Sequence, residues 1–249
     1  MKNPLPTFPP LLTGHRLAAE KNPFNWATSR ARKGRLGAGD LAWSQDTGSL
    51  RCALVLEPEV GRERCCEILY VVMAAFGDAA GALIPPEVAI TYQWPSAILM
   101  NDGQIGYVDL VLSDEETNGV PDWMVVGLDI RMAPDTGVND PGREIDKTTM
   151  WDEGCGDITR TALLESAARH TVNLIHNWSE DGFRPTHEQW WGRICRERKL
   201  ADGVDHTPEQ SLTGLDESGN AIIAGPNGTT CLQTVEVLQQ LRQFRQAAA

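Results

Sequence analysis

The sequence predicts an α+β fold, with a mixed or antiparallel sheet carrying helices and a small all-β module following near the C-terminus. Three observations predict it. Short apolar or alternating runs, bounded by turn residues, recur between residues 50 and 131. Runs with helical spacing interrupt them at 61–82 and follow them at 159–178 and 187–198. After a linker-like stretch at 199–210, short strands resume. The chain therefore divides into an N-terminal arm at 1–21, a main domain at 22–200, and a small β module with a C-terminal helix at 201–249.

Residues 1–21 are rich in proline and are expected to lie extended on the core. Asn22-Pro23 marks a helix start, because Asn caps the first turn and the fixed φ of Pro suits it. That helix is expected to reach about Lys33 and stop at Gly34. Leu36-Gly37-Ala38-Gly39-Asp40 follows as a glycine-rich loop. Residues 50–56 (LRCALVL), between Ser49 and Pro58, read as a buried strand. Cys65, Ile68, Leu69, Val72, Met73 and Phe76 share one helical face and define a core helix over 61–82.

Residues 87–93 alternate and are β-branched, so they read as a strand. Strands at 97–100 and 104–112 flank Asn101-Asp102-Gly103, a strong hairpin turn. An acidic loop, Asp114-Glu115-Glu116, ends at Pro121 and leads to a strand at 123–131. Residues 132–150 hold proline, glycine and charge, and are expected to be a mobile loop. The helix at 159–178 turns Leu164, Ala167, Ala168, Thr171, Leu174, Ile175 and Trp178 inward. Strands near 211–215, 220–224 and 229–234 form the module, and 235–246 is helical.

A net charge of -12 repels a polyanion, so nucleic acid is not an expected partner. The one basic cluster, Arg30, Arg32, Lys33 and Arg35, reads as a solvated helix end that suits the helix dipole. No run of eighteen apolar residues occurs, so no membrane span is expected. The first sixteen residues hold one early lysine and four prolines and do not read as a secretory signal, so a cytoplasmic location is expected. Six cysteines without a C-x-x-C pair read as buried thiols. The five histidines are scattered, and no metal is expected.

The most informative stretch runs from Gln93-Trp94-Pro95-Ser96-Ala97 through Ile98-Leu99-Met100-Asn101-Asp102-Gly103 to Gln104-Ile105-Gly106. It resembles the biotin protein ligases, whose pattern is K-W-P-N-D, an apolar strand, a turn, then K-(apolar)-(A/G)-G. Val125 to Arg131 (VVGLDIR) is similar to that family's V-x-G-(I/L)-G-(I/L)-N strand, and Leu50 to Pro58 to its N-L-(Y/A)-x-S-(L/V)-x-L-(R/K)-P strand. Residues 211–235, with Gly214-Leu215-Asp216-Glu217-Ser218-Gly219, are similar to the SH3-like module that follows the ligase domain. The resemblance to the biotin and lipoate protein ligases thus spans roughly residues 20–235.

The resemblance implies a class II synthetase-like fold of the biotinyl/lipoyl ligase type, with a small-acid pocket over the sheet. Gln93, Trp94, Pro95, Gln104 and Gly106 would lie beside the acid, together with Arg51. Gly37, Gly39, Asp40 and Trp43 would frame the entrance. The ligases activate a carboxylate with ATP, which needs fixed cations near a phosphate. Their two lysines are replaced here by Gln93 and Gln104, and their Asn-Asp pair by Ser96-Ala97. Ahead of the strand at 50, Gln45-Asp46-Thr47-Gly48-Ser49 has no arginine where the family carries a G-R-G-R-x-G-R loop. Arg131, at the family's asparagine, is a further candidate cation.

Three functions stay open. The first is a binding protein for biotin, lipoate, octanoate or an acyl-carrier or lipoyl-type domain, with no ATP-dependent adenylation and no required cofactor. The second is an acyl or lipoyl transferase. Glu153-Gly154-Cys155-Gly156-Asp157 sits where the related octanoyltransferases place a nucleophilic cysteine, and a thiol at a helix N-terminus has a lowered pKa. The same residues also read as a helix-entry turn, with Asp157 as the cap and Cys155 buried. The third is a divergent ATP-dependent ligase that uses Arg30, Arg32 and Arg35. The resemblance also allows a homodimer through a sheet edge. A DNA-binding repressor is not expected, since no helix-turn-helix precedes the ligase-like part.

Overall fold

The structure, a computed structural model, describes residues 5–134, 146–195 and 197–247. In chain order it runs β1 (Thr13–Leu17), α1 (Pro23–Ala31), β2 (Asp40–Ser44), β3 (Ser49–Leu56), α2 (Glu67–Gly81), β4 (Ile90–Gln93), β5 (Ala97–Met100) and β6 (Gly103–Leu112). A two-residue hairpin, β7 (Glu116–Thr117) and β8 (Val120–Pro121), leads to β9 (Met124–Arg131). Then come α3 (Arg160–Asp181), α4 (Arg184–Gly192), β10 (Ser211–Leu215), β11 (Ala221–Gly225), β12 (Gly228–Leu232) and α5 (Thr234–Ala247).

Seven strands form one mixed sheet in the order β1-β2-β3-β9-β6-β5-β4. Among the described strands only β1 and β2 pair in parallel. Strands β10, β11 and β12 form a separate antiparallel sheet. This is the expected α+β architecture with a small β module.

The period of two along the central strands sorts their side chains into two layers. Leu50, Leu54, Val108, Leu110, Val126, Leu128 and Ile130 join the main core with α2 and α3. The alternate positions Ala53, Val55 and Val125 form a second cluster with Ala27 and Ala31 of α1. Alanines on both sides let α1 lie close to the sheet. Helix α1 starts as expected, with the Asn22 side chain accepting a hydrogen bond from the Asn25 amide at 3.0 Å. Its C-terminal end takes up the basic cluster, where Arg30 stacks 4.3 Å above the Trp26 ring.

The hairpin turn at Asn101-Asp102 forms as expected, both residues having positive φ (47° and 69°), the angles a tight two-residue turn demands. In the N-terminal segment Phe8 and Leu12 pack against the main core, and residues 13–17 form edge strand β1. Two expectations need correcting. The loop expected to frame an entrance between Gly37 and Leu50 instead contains strand β2. Gly39 makes this turn possible. Its φ is +88°, and a Cβ there would collide with the Leu11 carbonyl oxygen. The second of the two helices, expected over 187–198, runs earlier, from Arg184 to Gly192. Most of the expected mobile loop at 132–150 lies outside the described residues.

No helix among the described residues is long and apolar enough to cross a membrane. Cys65, Cys66, Cys155 and Cys195 are buried and Cys231 is exposed. Burial pushes the Cys65 thiol up to about 12, so it carries almost no thiolate near neutral pH. Alkylation of the native protein is therefore expected to modify Cys231 first and Cys65 only after unfolding. Peptide mass mapping after timed iodoacetamide treatment checks this, and early loss of the Cys65 thiol would contradict it.

Candidate functional site

The face of the sheet that α1 covers at one end is open at the other. The opening is a groove of about 400 Å³. Its floor is built from Ser49 and Arg51 of β3, Asp129 and Arg131 of β9, Tyr107 of β6 and Ala97 of β5. Ser96, Gln104, Lys147 and the 201–202 segment add walls, and α5 closes one side with Leu241, Phe244 and Arg245. A second lobe of about 220 Å³ continues toward the start of α1, between Asn22, Phe24, Asp109, Gly127 and Arg242. Arg51, Tyr107, Asp129 and Arg245 line both lobes.

Two glycines shape the floor. A Cβ at Gly106 would collide with the Asp129 carbonyl oxygen across the strand. A Cβ at Gly127 would lie 2.6 Å from the Phe24 ring, so this glycine admits the helix residue onto the sheet. Tyr107 and Asp129 are directly paired across β6 and β9. They stand where the patterns quoted above carry the second glycine of K-(apolar)-(A/G)-G and of V-x-G-(I/L)-G. Two side chains therefore enter a floor that glycines would leave bare.

Electrostatics in the larger lobe set four basic residues against two acidic ones. Arg51 donates to Asp129 at 3.1 Å and lies 3.4 Å from Asp46. Burial lifts the Asp129 carboxyl above the usual carboxylate range, while Arg51 pulls it back down. Arg131 donates to the Gln104 carbonyl, which ties β9 to the hairpin strand β6. Arg242 binds Asp109 through three hydrogen bonds of 2.6 to 3.2 Å. Arg245 stacks 3.9 Å from the Tyr107 ring centroid.

The structure brings together only part of the expected ligand set. Arg51, Gln104 and Gly106 line the groove. Gln93 is buried at 3% exposure on the edge of the sheet, and its amide nitrogen has no hydrogen-bond partner among the described residues. Trp94 is at 0% exposure in the main core, its indole N–H donating to the Tyr70 hydroxyl at 3.0 Å. Pro95, joined to Trp94 by a cis peptide bond, leads from that core residue to groove-lining Ser96. Trp43 also packs in the main core, with Arg160 stacked 5.6 Å from its ring.

Gly37, Gly39 and Asp40 lie at the other end of β3, where Gly39 donates to Val55 and Asp40 meets His15 at 2.6 Å. Val55 is four residues from Arg51, roughly 13 Å along the strand, so these three do not frame the groove.

Cys155 is at 2% exposure, with its sulfur 4.0 Å from Met100 Sδ in the core. Burial and Glu153 raise its thiol pKa, opposite to the lowering that a nucleophile needs. The helix cap is Thr159, which accepts from the Ala162 amide at 3.2 Å, rather than Asp157. Among the described residues no cluster of His, Cys, Asp and Glu could hold a metal ion.

Sequence reasoning missed Lys147, Tyr107, Leu241, Phe244, Arg242 and Arg245. For Tyr107 a signal was present, in the glycine it displaces. The α5 residues left none, because their partners are more than a hundred positions away.

Comparison with known proteins places this geometry. The sequence profile of the biotin/lipoate A/B protein ligase family matches residues 8–192. A biotin–[acetyl-CoA-carboxylase] ligase of Paracoccus denitrificans is 25% identical over 215 residues, covering 85% of this chain and 89% of that one. The crystal structure of a biotin protein ligase-like protein of unknown function from Silicibacter sp. TM1040 is similar with a TM-score of 0.80. It is 34% identical, and the match covers 93% of this chain and 98% of the other. The biotin protein ligase of Aquifex aeolicus shares the fold at a TM-score of 0.67 and 16% identity, covering 90% and 97%.

Proposed function

The chain belongs to the biotin/lipoate A/B protein ligase family, and from that premise we propose that it binds a small carboxylic acid or acyl group without activating it with ATP. The ligand class is that of biotin, lipoate and octanoate, free or borne on a carrier domain. One observation carries the reading. The two positions where the ligase pattern has lysines carry neutral amides, Gln104 lining the hairpin side of the groove and Gln93 buried, and Ser96 stands there in place of the pattern's asparagine.

Adenylation spreads negative charge over a phosphate and depends on donors fixed in advance around it. Two of the guanidiniums that line the groove are already engaged, Arg51 with two carboxylates and Arg131 with a backbone carbonyl, and the third, Arg245, stands on α5 rather than on the hairpin. A bound carboxylate is less demanding, needing one cation and an apolar wall. Cys155, packed against Met100 with a raised thiol pKa, lends no support to a transferase. Arg30, stacked on Trp26 at the end of α1, lends none to a substitute arginine loop.

Calorimetric titration with biotin, lipoate and octanoate tests the reading. At least one is expected to bind without nucleotide, and with the same affinity when MgATP is added. Absence of binding by all three, alone and on a carrier domain, would refute it.

A further inference from the structure

We propose that the C-terminal helix is the recognition element of this groove, with Arg245 anchoring a ligand oxyanion and Leu241 and Phe244 receiving its hydrocarbon body. The cation lost from the hairpin is thus supplied from α5. The proposal deepens the carboxylic-acid reading above and rests on it.

Two independent observations on the same helix carry it. The first is the state of Arg245. Its Nη2 is buried yet has no hydrogen-bond partner among the described residues. Its ion-pair partner among the described residues, Asp109, has its carboxylate oxygen 3.6 Å away, beyond hydrogen-bond reach. Asp109 is already bound by Arg242 through three hydrogen bonds, so Arg245 is not needed to neutralise it. Arg245 thus keeps its ion pair with Asp109 but has a guanidinium N–H to spare, and a donor left unmet away from water is costly. The Tyr107 ring, 3.9 Å beneath, holds the guanidinium plane at the junction of the two lobes.

The second observation is apolar surface. Phe244 is 64% exposed and lines the larger lobe. Leu241, one turn earlier on α5, is buried and lines the same wall. A groove with an under-bonded cation at its centre and an exposed phenyl ring on its rim matches a ligand with one charged end and one hydrocarbon end. The anion can be a carboxylate or a phosphate monoester, since both accept hydrogen bonds from a guanidinium.

Octanoate and octyl phosphate distinguish these sources. Each is titrated into the wild-type chain, Arg245→Gln and Phe244→Ser, with thermal unfolding recorded for all three. Arg245→Gln is expected to weaken binding at least tenfold. Phe244→Ser is expected to weaken it severalfold while leaving the melting temperature unchanged, because the ring is exposed. Octanoate binding that is unchanged in either variant would overturn the proposal but leave the carboxylic-acid reading intact. If Arg245→Gln fails to fold, the Phe244→Ser result alone decides. Binding of octyl phosphate but not octanoate, lost in Arg245→Gln, would keep Arg245 as an anion anchor and overturn the carboxylate as what it holds. Failure of the wild-type chain to bind either compound would overturn the anchor, and the biotin and lipoate titrations would then decide the carboxylic-acid reading.

Discussion

Incubated with MgATP and either biotin or lipoate, the protein is expected to release no pyrophosphate above the uncatalysed background. The magnitude follows from what the hairpin lacks. Removing one preorganised donor to a developing oxyanion slows catalysis by roughly 10²–10³. Two lysine positions of the ligase pattern are filled by Gln93 and Gln104, so a loss of roughly 10⁴–10⁶ is expected if the two effects combine independently. Arg51 does not compensate, because Asp46 and Asp129 hold it on the groove floor. ATP–pyrophosphate exchange with each acid is the appropriate assay. Exchange at a rate typical of enzymes would show that Arg131, Lys147 or Arg245 has taken over the phosphate.

Trp94→Ala is expected to destabilise the protein by about 3–5 kcal/mol, the range for removing a fully buried large aromatic side chain. The loss extends beyond packing. The indole N–H donates to the Tyr70 hydroxyl, which in turn donates to the Gly219 carbonyl at 2.6 Å, in the turn between β10 and β11. One buried polar chain therefore joins the hairpin, α2 and the small β module. A Trp-Pro motif that resembles part of a ligand site is here a structural joint. Urea unfolding measures the effect. A loss below about 1 kcal/mol would mean that the indole is not the joint described.

The same hairpin shows what was legible in the sequence. Local chemistry wrote the turn, since Asn101-Asp102-Gly103 tolerates positive φ, and the alternating residues around it fixed both strands. The motif also pointed to the correct face of the sheet through Gln104 and Gly106, but it could not say which neighbours point inward. Trp94 and Ser96 are two residues apart, yet one is in the core and the other in the groove. Strands β1 and β2 were hidden for a different reason. The sequence Thr13–Leu17 is polar and half exposed at a sheet edge, and Asp40–Ser44 lacks β-branched residues, so neither carries the usual strand signal.

The cations of the groove were the least visible. Helix α5 announces its own amphipathic pattern, but where it docks depends on Asp109 and Tyr107, far back in the chain. The Cys155 segment was misleading in the opposite sense. The local cue for a helix entry was sound, but whether a thiol near a helix start faces solvent or core is set by packing, and Met100 is what it meets.

Crystals soaked with octanoate and MgATP test the central claim most directly. The account predicts density for an unmodified acid in the groove, with its carboxylate beside Arg245, its chain along Leu241 and Phe244, and no nucleotide attached. Density for an octanoyl-adenylate over the Gln104 hairpin would contradict it.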